Sequence, residues 1–327
     1  MRALIVGFGA IGRRHAANLL ALRPETQLQV LLPSGSGSAK CLAAGVAAIH
    51  GVKEALRTEP NFAIVCSPSA ARLEYLLPLL EAGIPCYVEK PLVASVHEAR
   101  ELRAYLSRRP ALPVVAVGCN LRLLPSLCKL QGLLSKRAIG TVVRAALVAG
   151  QWLPEWRPGV DYRTSYSARR ESGGGVVLDL VHEIDLARWL FGEFDVVKAA
   201  GGKFSRLEID SEDTACILLA RAGRPPVIAI SLDYVSRRNV RRYEIVGDEG
   251  TLVWTLEQRE LRRADADGTS LLDGDGPSFD IAATYMAALR NFLDCLSGGT
   301  PFCGIEDGLA SAELALRARD EILKCAQ

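Results

Sequence analysis

Ala3-Leu4-Ile5-Val6-Gly7-Phe8-Gly9-Ala10-Ile11-Gly12 is the stretch that decides the fold. Four apolar residues suited to a buried strand run straight into glycines spaced G-x-G-x-x-G, and a helical period follows from Ile11 to Leu22. Gly7 permits a tight turn, Gly9 lets the backbone approach a pyrophosphate, and Gly12 allows the helix to pack closely on the strand. Amides at the helix N-terminus, around Ala10 and Ile11, then meet the negative charge, and Arg13 adds a cation just below them. A glycine turn in an unrelated α/β protein is the bland alternative. The strand-to-helix placement favours a bound dinucleotide.

Reading outward, short β-branched runs alternate with helical stretches through the first third of the chain. Strands are expected at Ala3–Val6, Leu28–Leu32, Phe62–Cys66, Cys86–Val88 and Val114–Gly118, with helices at Ile11–Leu22, Ala70–Glu81 and Val96–Leu106. Ser95 and Glu98 form a capping box before the last helix. This alternation predicts an α/β fold whose N-terminal domain, residues 1–121, is a doubly wound parallel (Rossmann) sheet. Beyond Leu121 the texture changes, and residues 122–327 read as an α+β domain with a large open, mostly antiparallel sheet. Its strands are expected at Val142–Gly150, Thr214–Ala220, Val227–Val235, Arg242–Val246 and Thr251–Trp254, and its helices at Pro125–Leu134, Tyr285–Leu296 and Glu306–Lys324.

Lys plus Arg at 39 against Asp plus Glu at 37 leaves a formal charge of +2, too little for a broad field that would hold nucleic acid or an anionic membrane. No apolar run reaches membrane length, and no export signal is read at the start. The nine cysteines contain no C-x-x-C pair and several lie in apolar runs, so they read as reduced core residues of a cytosolic protein, with no metal site expected.

The second strand ends near Leu32–Ser34, where an NAD enzyme usually offers a carboxylate to the ribose hydroxyls. Here stand Pro33, Ser34, Ser36, Ser38 and Lys40, whose hydroxyls and ammonium suit a 2′-phosphate. The cofactor is NADP or NAD, and this segment favours NADP unless it is only a surface turn.

Two groups of residues carry the chemistry. Glu89-Lys90-Pro91 follows a strand, so Lys90 should stand at the carboxyl edge of the parallel sheet, where ligands of such folds bind. An amine beside an oxidised nicotinamide feels a like charge and can polarise a substrate oxygen or exchange a proton with it. In the second domain, Gly173-Gly174-Gly175 precede Asp179, His182 and Asp185, and the i, i+3 spacing would put a carboxylate beside the imidazole on one helix face. The other three histidines, His15, His50 and His97, read as structural.

Taken together, the glycine fingerprint, Glu89-Lys90-Pro91 and Gly173-Gly174-Gly175…Asp179…His182…Asp185 resemble the glucose–fructose oxidoreductase, inositol dehydrogenase and rhizopine-catabolism family. The resemblance implies Lys90, Asp179 and His182 as the catalytic group, with Ser67, Pro68, Glu89 and Lys90 joining Gly7, Gly9, Ala10, Ile11, Gly12, Arg13 and Ser34 around the cofactor. It also implies a homodimer or homotetramer formed through the C-terminal sheet. A narrower similarity, to members linked with sugar nucleotides and surface polysaccharides, implies substrate contacts from Asn120, Arg122, Tyr162, Arg163, Tyr166 and Arg169. Arg163 and Arg169 would offer forked hydrogen bonds to a carboxylate or phosphate. An aromatic packing segment is the plainer reading of that loop.

Two departures stand out. The family places its histidine four residues after the aspartate, and here the spacing is three. A Thr-Pro motif that often carries a histidine is replaced by Ser67-Pro68-Ser69-Ala70-Ala71-Arg72, with Arg72 in the histidine's place. Arg237, Arg238, Arg241 and Arg242 match no motif and read as a solvated strand end or hairpin. The expected activity is hydride transfer between the cofactor and a sugar-like alcohol or ketone. Its rivals are an epimerase, dehydratase or glycosidase that returns the hydride, and a non-catalytic dinucleotide sensor.

Overall fold

The computed structural model describes residues 1–32, 46–109 and 111–325. The chain divides into two compact units, Met1–Asn120 with Ala282–Ala310, and Leu121–Ile281 with Ser311–Gln327.

Among the described residues the first unit holds six strands: β1 (Arg2–Val6), β2 (Gln27–Leu31), β3 (Ala47–Ile49), β4 (Phe62–Val65), β5 (Cys86–Val88) and β6 (Val115–Val117). Their order is β3-β2-β1-β4-β5-β6, every pair parallel. Residues Ala3–Val6, Phe62–Val65 and Cys86–Val88 are wholly buried, as parallel strands between crossover helices must be. The order reverses between β1 and β4, which opens a crevice at the carboxyl ends of those strands. The capping box forms as expected at the helix Val96–Ser107: Ser95 Oγ accepts the Glu98 amide at 3.2 Å, and Glu98 reaches back to the Ala94 amide at 2.8 Å. Strand β3 and the short helix Val52–Arg57 have no counterpart in the sequence reading.

A single contiguous second domain beginning at residue 122 is not what the chain forms, because Ala282–Ala310 belongs with the first unit. The helix Ile281–Cys295 explains the return: Phe292 meets Phe62 and Tyr87 edge to face, with ring centroids 5.7 and 6.0 Å apart, inside the first core. Burial of that one ring contributes about 1.5–3 kcal/mol. The segment then covers the β6 edge, where the Val117 amide donates to the Cys303 carbonyl at 2.8 Å.

The second unit carries eight described strands: β7 (Val142–Gly150), β8 (Val196–Gly202), β9 (Thr214–Arg221), β10 (Arg224–Asp233), β11 (Val240–Gly247), β12 (Thr251–Thr255), β13 (Glu260–Asp265) and β14 (Gly268–Asp273). The order is β14-β13-β12-β11-β7-β10-β9-β8, antiparallel except for the β7–β10 pair. Alternation along β9 and β10 buries Ala215, Ile217, Leu219, Ile228, Ile230 and Leu232 and leaves Cys216, Leu218, Val227 and Ala229 exposed. Helices Val176–Asp179 and Val181–Phe191 lie on this sheet. Among the described residues no helix is long and apolar enough to cross a membrane.

Candidate active site

In the first unit the glycine turn is shaped by close approach. A Cβ on Gly12 would fall 2.2 Å from the Gly7 carbonyl oxygen, so only glycine lets the helix Ala10–Leu22 start there. Gly9 behaves differently: a Cβ on it would meet no protein atom within 4 Å. The space above the helix N-terminus is open, and no acidic side chain sits in the first turn to repel an anion. These residues fit a dinucleotide pyrophosphate. Arg13, expected to add positive charge there, donates to the Phe8 carbonyl at 3.1 Å, which holds its guanidinium against the turn. Ser34, with Ser36, Ser38 and Lys40, lies outside the described residues.

Ser67, Pro68, Glu89 and Lys90 stand where the sequence puts them, just past the carboxyl ends of β4 and β5. Lys90 is half-buried. Glu89 is turned inward to His15, with Oε1 2.7 Å from Nε2. Burial alone would push its carboxyl up, yet the His15 hydrogen bond and charge, aided by Lys90 and Arg72, hold it below the usual carboxylate range. His15, read as structural, is therefore the buried partner of the residue before Lys90. Arg72 is also buried and donates to the Ser67 carbonyl at 2.8 Å and to the Pro91 carbonyl. It ties the loops after β4 and β5 together. His50 and His97 are exposed.

In the second unit the glycine run shapes the entry to the short helix Val176–Asp179. Gly175 has φ +117°, and a Cβ there would sit 2.3 Å from Glu212 Oε1. Burial pushes the Glu212 carboxyl up, against the pull of Arg319, whose Nε lies 3.1 Å away. The single helix expected through Asp179 and His182 is broken: Leu180 (φ −99°, ψ 32°) separates Val176–Asp179 from Val181–Phe191. The break removes the premise of a shared i, i+3 face, because the two residues belong to different helices. Both are buried. Asp179 Oδ2 accepts the Tyr234 hydroxyl at 2.7 Å, and the Tyr166 hydroxyl also engages this carboxylate. Burial and then the Asp179 charge push both phenols up, so they remain donors across the neutral range.

Asp185, the other carboxylate flanking His182, is fully engaged elsewhere. Arg122 grips it with Nε at 2.9 Å and Nη2 at 2.8 Å, and Ser311 Oγ donates to it at 2.8 Å. Arg122 is thus a buried structural clamp and not an exposed substrate contact. Asn120 is likewise buried and donates to Thr284 Oγ1 at 2.6 Å. Arg163, expected to offer its fork to a ligand, holds Asp161 with Nε and Nη2 at 3.0 and 2.8 Å and depresses that carboxyl below its usual range. Tyr162 Oη accepts the Glu208 amide at 3.2 Å. Tyr166 and Arg169 keep exposed surface. Arg241 is a further correction: instead of standing in a solvated hairpin, it pairs at 2.8 Å with Glu183, which is fully buried and also accepts from Tyr243 at 2.9 Å. Tyr234, Glu212 and Glu183 escaped sequence reasoning because nothing in their own local pattern marks them.

Two sequence profiles of one family match the chain. The oxidoreductase family NAD-binding Rossmann fold matches residues 1–117, and the GFO/IDH/MocA C-terminal domain matches residues 128–253. An inositol 2-dehydrogenase of Mycolicibacterium gilvum is 25% identical over 95% of this chain and 88% of its own length. A levoglucosan dehydrogenase solved as a complex with NADH has a similar fold, with TM-score 0.82 and 19% identity over 99% of this chain and 97% of that one. A UDP-N-acetylglucosamine 3-dehydrogenase from Acidithiobacillus ferrooxidans superposes with TM-score 0.78 and 21% identity over 100% of this chain and 99% of that one.

Proposed function

Because the chain belongs to the GFO/IDH/MocA oxidoreductase family, we propose that it transfers a hydride between a nicotinamide dinucleotide and a secondary alcohol or ketone of a sugar, sugar acid or nucleotide sugar. The observation that carries this reading is the company Lys90 keeps: it stands on the same sheet edge as a glycine cradle shaped for a dinucleotide. Gly7, Gly9 and Gly12 would hold the pyrophosphate of NAD(H), which would supply the hydride acceptor or donor. Lys90 donates to the reacting oxygen and stabilises the alkoxide that develops there. His182 exchanges the hydroxyl proton, and Asp179, itself held by Tyr234, orients that exchange. Tyr166 and Arg169 are the proposed substrate contacts, and Arg163 joins them only by exchanging Asp161 for an anionic ligand.

The lack of a carboxylate at Leu32–Ser38 supports NADP over NAD. A homodimer or homotetramer through the C-terminal sheet is supported by the apolar residues on its exposed face, Leu218 at 42% and Val227 at 44% accessibility. The free thiols among the described cysteines fit a reducing cytoplasm. Fluorescence titration with NADH and NADPH, followed by turnover of a panel of inositols, sugar acids and nucleotide sugars, tests the proposal. Cofactor binding with no turnover across that panel would leave a sensor and remove the enzyme.

A further inference from the structure

The buried pair His15–Glu89 is used by no step of the chemistry above, and among the described residues of the first unit it is the most enclosed ion pair. His15 has no exposed surface and the Glu89 side chain keeps 9%. The imidazole lies near the rings of Tyr87, 5.0 Å away by ring centroids, and Tyr285 at 6.2 Å, and the Arg14 guanidinium lies over the Tyr285 ring at 4.6 Å. A carboxylate placed there without a partner would take up a proton instead of remaining charged.

The pair's place in the fold gives it a consequence. His15 rides on the helix that begins at the glycine turn, and Glu89 is covalently next to Lys90 at the end of β5. On the other side of the same tripeptide, Arg72 holds the Pro91 carbonyl. The tripeptide is therefore gripped at both ends, once by charge and once by a carbonyl. We propose that His15 is a positioning residue for Lys90: its 2.7 Å hydrogen bond fixes the Glu89 carboxylate beside Lys90 and so sets the place and the electrostatic surroundings of the Lys90 amine next to the nicotinamide. The proposal rests on the reading of Lys90 given above. The other groups that feel the Glu89 charge are Lys90 and Arg72, which favour it, and Cys66 and Tyr87, whose burial and whose repulsion from Glu89 keep them protonated and neutral.

The sign follows from the pair. Without His15 its hydrogen bond and charge no longer oppose burial, and the Glu89 carboxyl shifts upward toward its neutral form. Lys90 then loses a neighbouring anion and gives up its own proton at lower pH. The test is a 13C NMR titration of the reductively methylated full-length protein with NAD, the Lys90 signal being identified by its loss in Lys90→Arg. In His15→Leu the Lys90 midpoint should fall by about one pH unit. In His15→Gln, which retains a donor toward Glu89, it should stay near the wild-type value. NADH affinity should remain within about twofold in both, since no contact to the glycine turn is lost. If His15→Leu does not fold, Glu89→Gln removes the same charge with the shape kept and should lower the midpoint alike. An unchanged Lys90 midpoint in a folded, NADH-binding variant overturns the proposal. Turnover of Lys90→Met tests the underlying reading separately, because full activity there would remove Lys90 from the chemistry while leaving the titration result standing.

Discussion

At the residue scale, the Asp179 carboxylate takes hydroxyl donors from Tyr234, the residue after β10, and from Tyr166. Tyr234 is fully buried and its ring packs edge to face on Trp156, so its donor cannot turn away from Asp179. Tyr234→Phe deletes a charge-assisted hydrogen bond worth about 1.5–3 kcal/mol and should lower kcat roughly tenfold or more. KM should change little. A kcat equal to that of wild type would show that Tyr234 only fills space. Glu89 carries a second prediction, in stability. Its folded-state pKa lies below the unfolded value of about 4.3, so its contribution is present above that pH and is lost as pH falls through the folded value. Urea melts of Glu89→Gln should show a deficit against wild type at neutral pH that shrinks below about pH 4. A deficit that stays constant through the acid range would mean the pair carries no pH-dependent stability.

At the scale of elements, the turn at Gly175 is both strained for other residues and filled from outside. Gly175→Ala must adopt φ +117° and push a Cβ into Glu212, and it should destabilise the fold by about 2–4 kcal/mol in denaturant melts. A loss under about half a kcal/mol would mean that Glu212 moves aside freely. The elements legible in the sequence are those whose burial follows a period. Ile11–Leu22, Val96–Leu106 and the alternating strands from Thr214 to Trp254 match the structure to within a few residues, and Gly7–Gly12 fall at the β1-to-helix turn and Lys90 just past β5, as read. The missed hairpin of β13 and β14 is an edge whose residues pair charges along the strand, Arg262 with Glu260 and Arg263 with Asp265. With so little apolar face, it gives no alternation to read. The break at Leu180 is hidden for a different reason. Local periodicity runs on through Leu180 as one helix, and no residue there marks the break; the Val176 amide, donating to the Glu212 carbonyl at 3.0 Å, fixes where the first of the two helices starts. Arg122 and Arg163 look alike as sequence, and only the carboxylates brought to them, Asp185 and Asp161, show that both are already held.

At the scale of the molecule, the exposed face of the second sheet belongs to the proposed assembly. Leu218 stands opposite Ala229 across the β9–β10 pair, and Val227 opposite Arg144 of β7, so the exposed apolar residues are neighbours and not isolated points. Leu218→Lys should shift the mass seen by light scattering from an oligomer toward a single chain, with NADH binding intact. Wild-type protein that runs as one chain at micromolar concentration would remove this interface. The return of Ala282–Ala310 to the first unit also governs how the protein is made. On the ribosome, β1 to β6 emerge early but lack Phe292 and the edge cover from Cys303 until all of Leu121–Ile281 has followed, roughly ten to thirty seconds later at ordinary elongation rates. A nascent half-domain with an open core waits through that interval, so slow codons or a chaperone acting over the middle of the message would bear on yield without touching a single active-site residue.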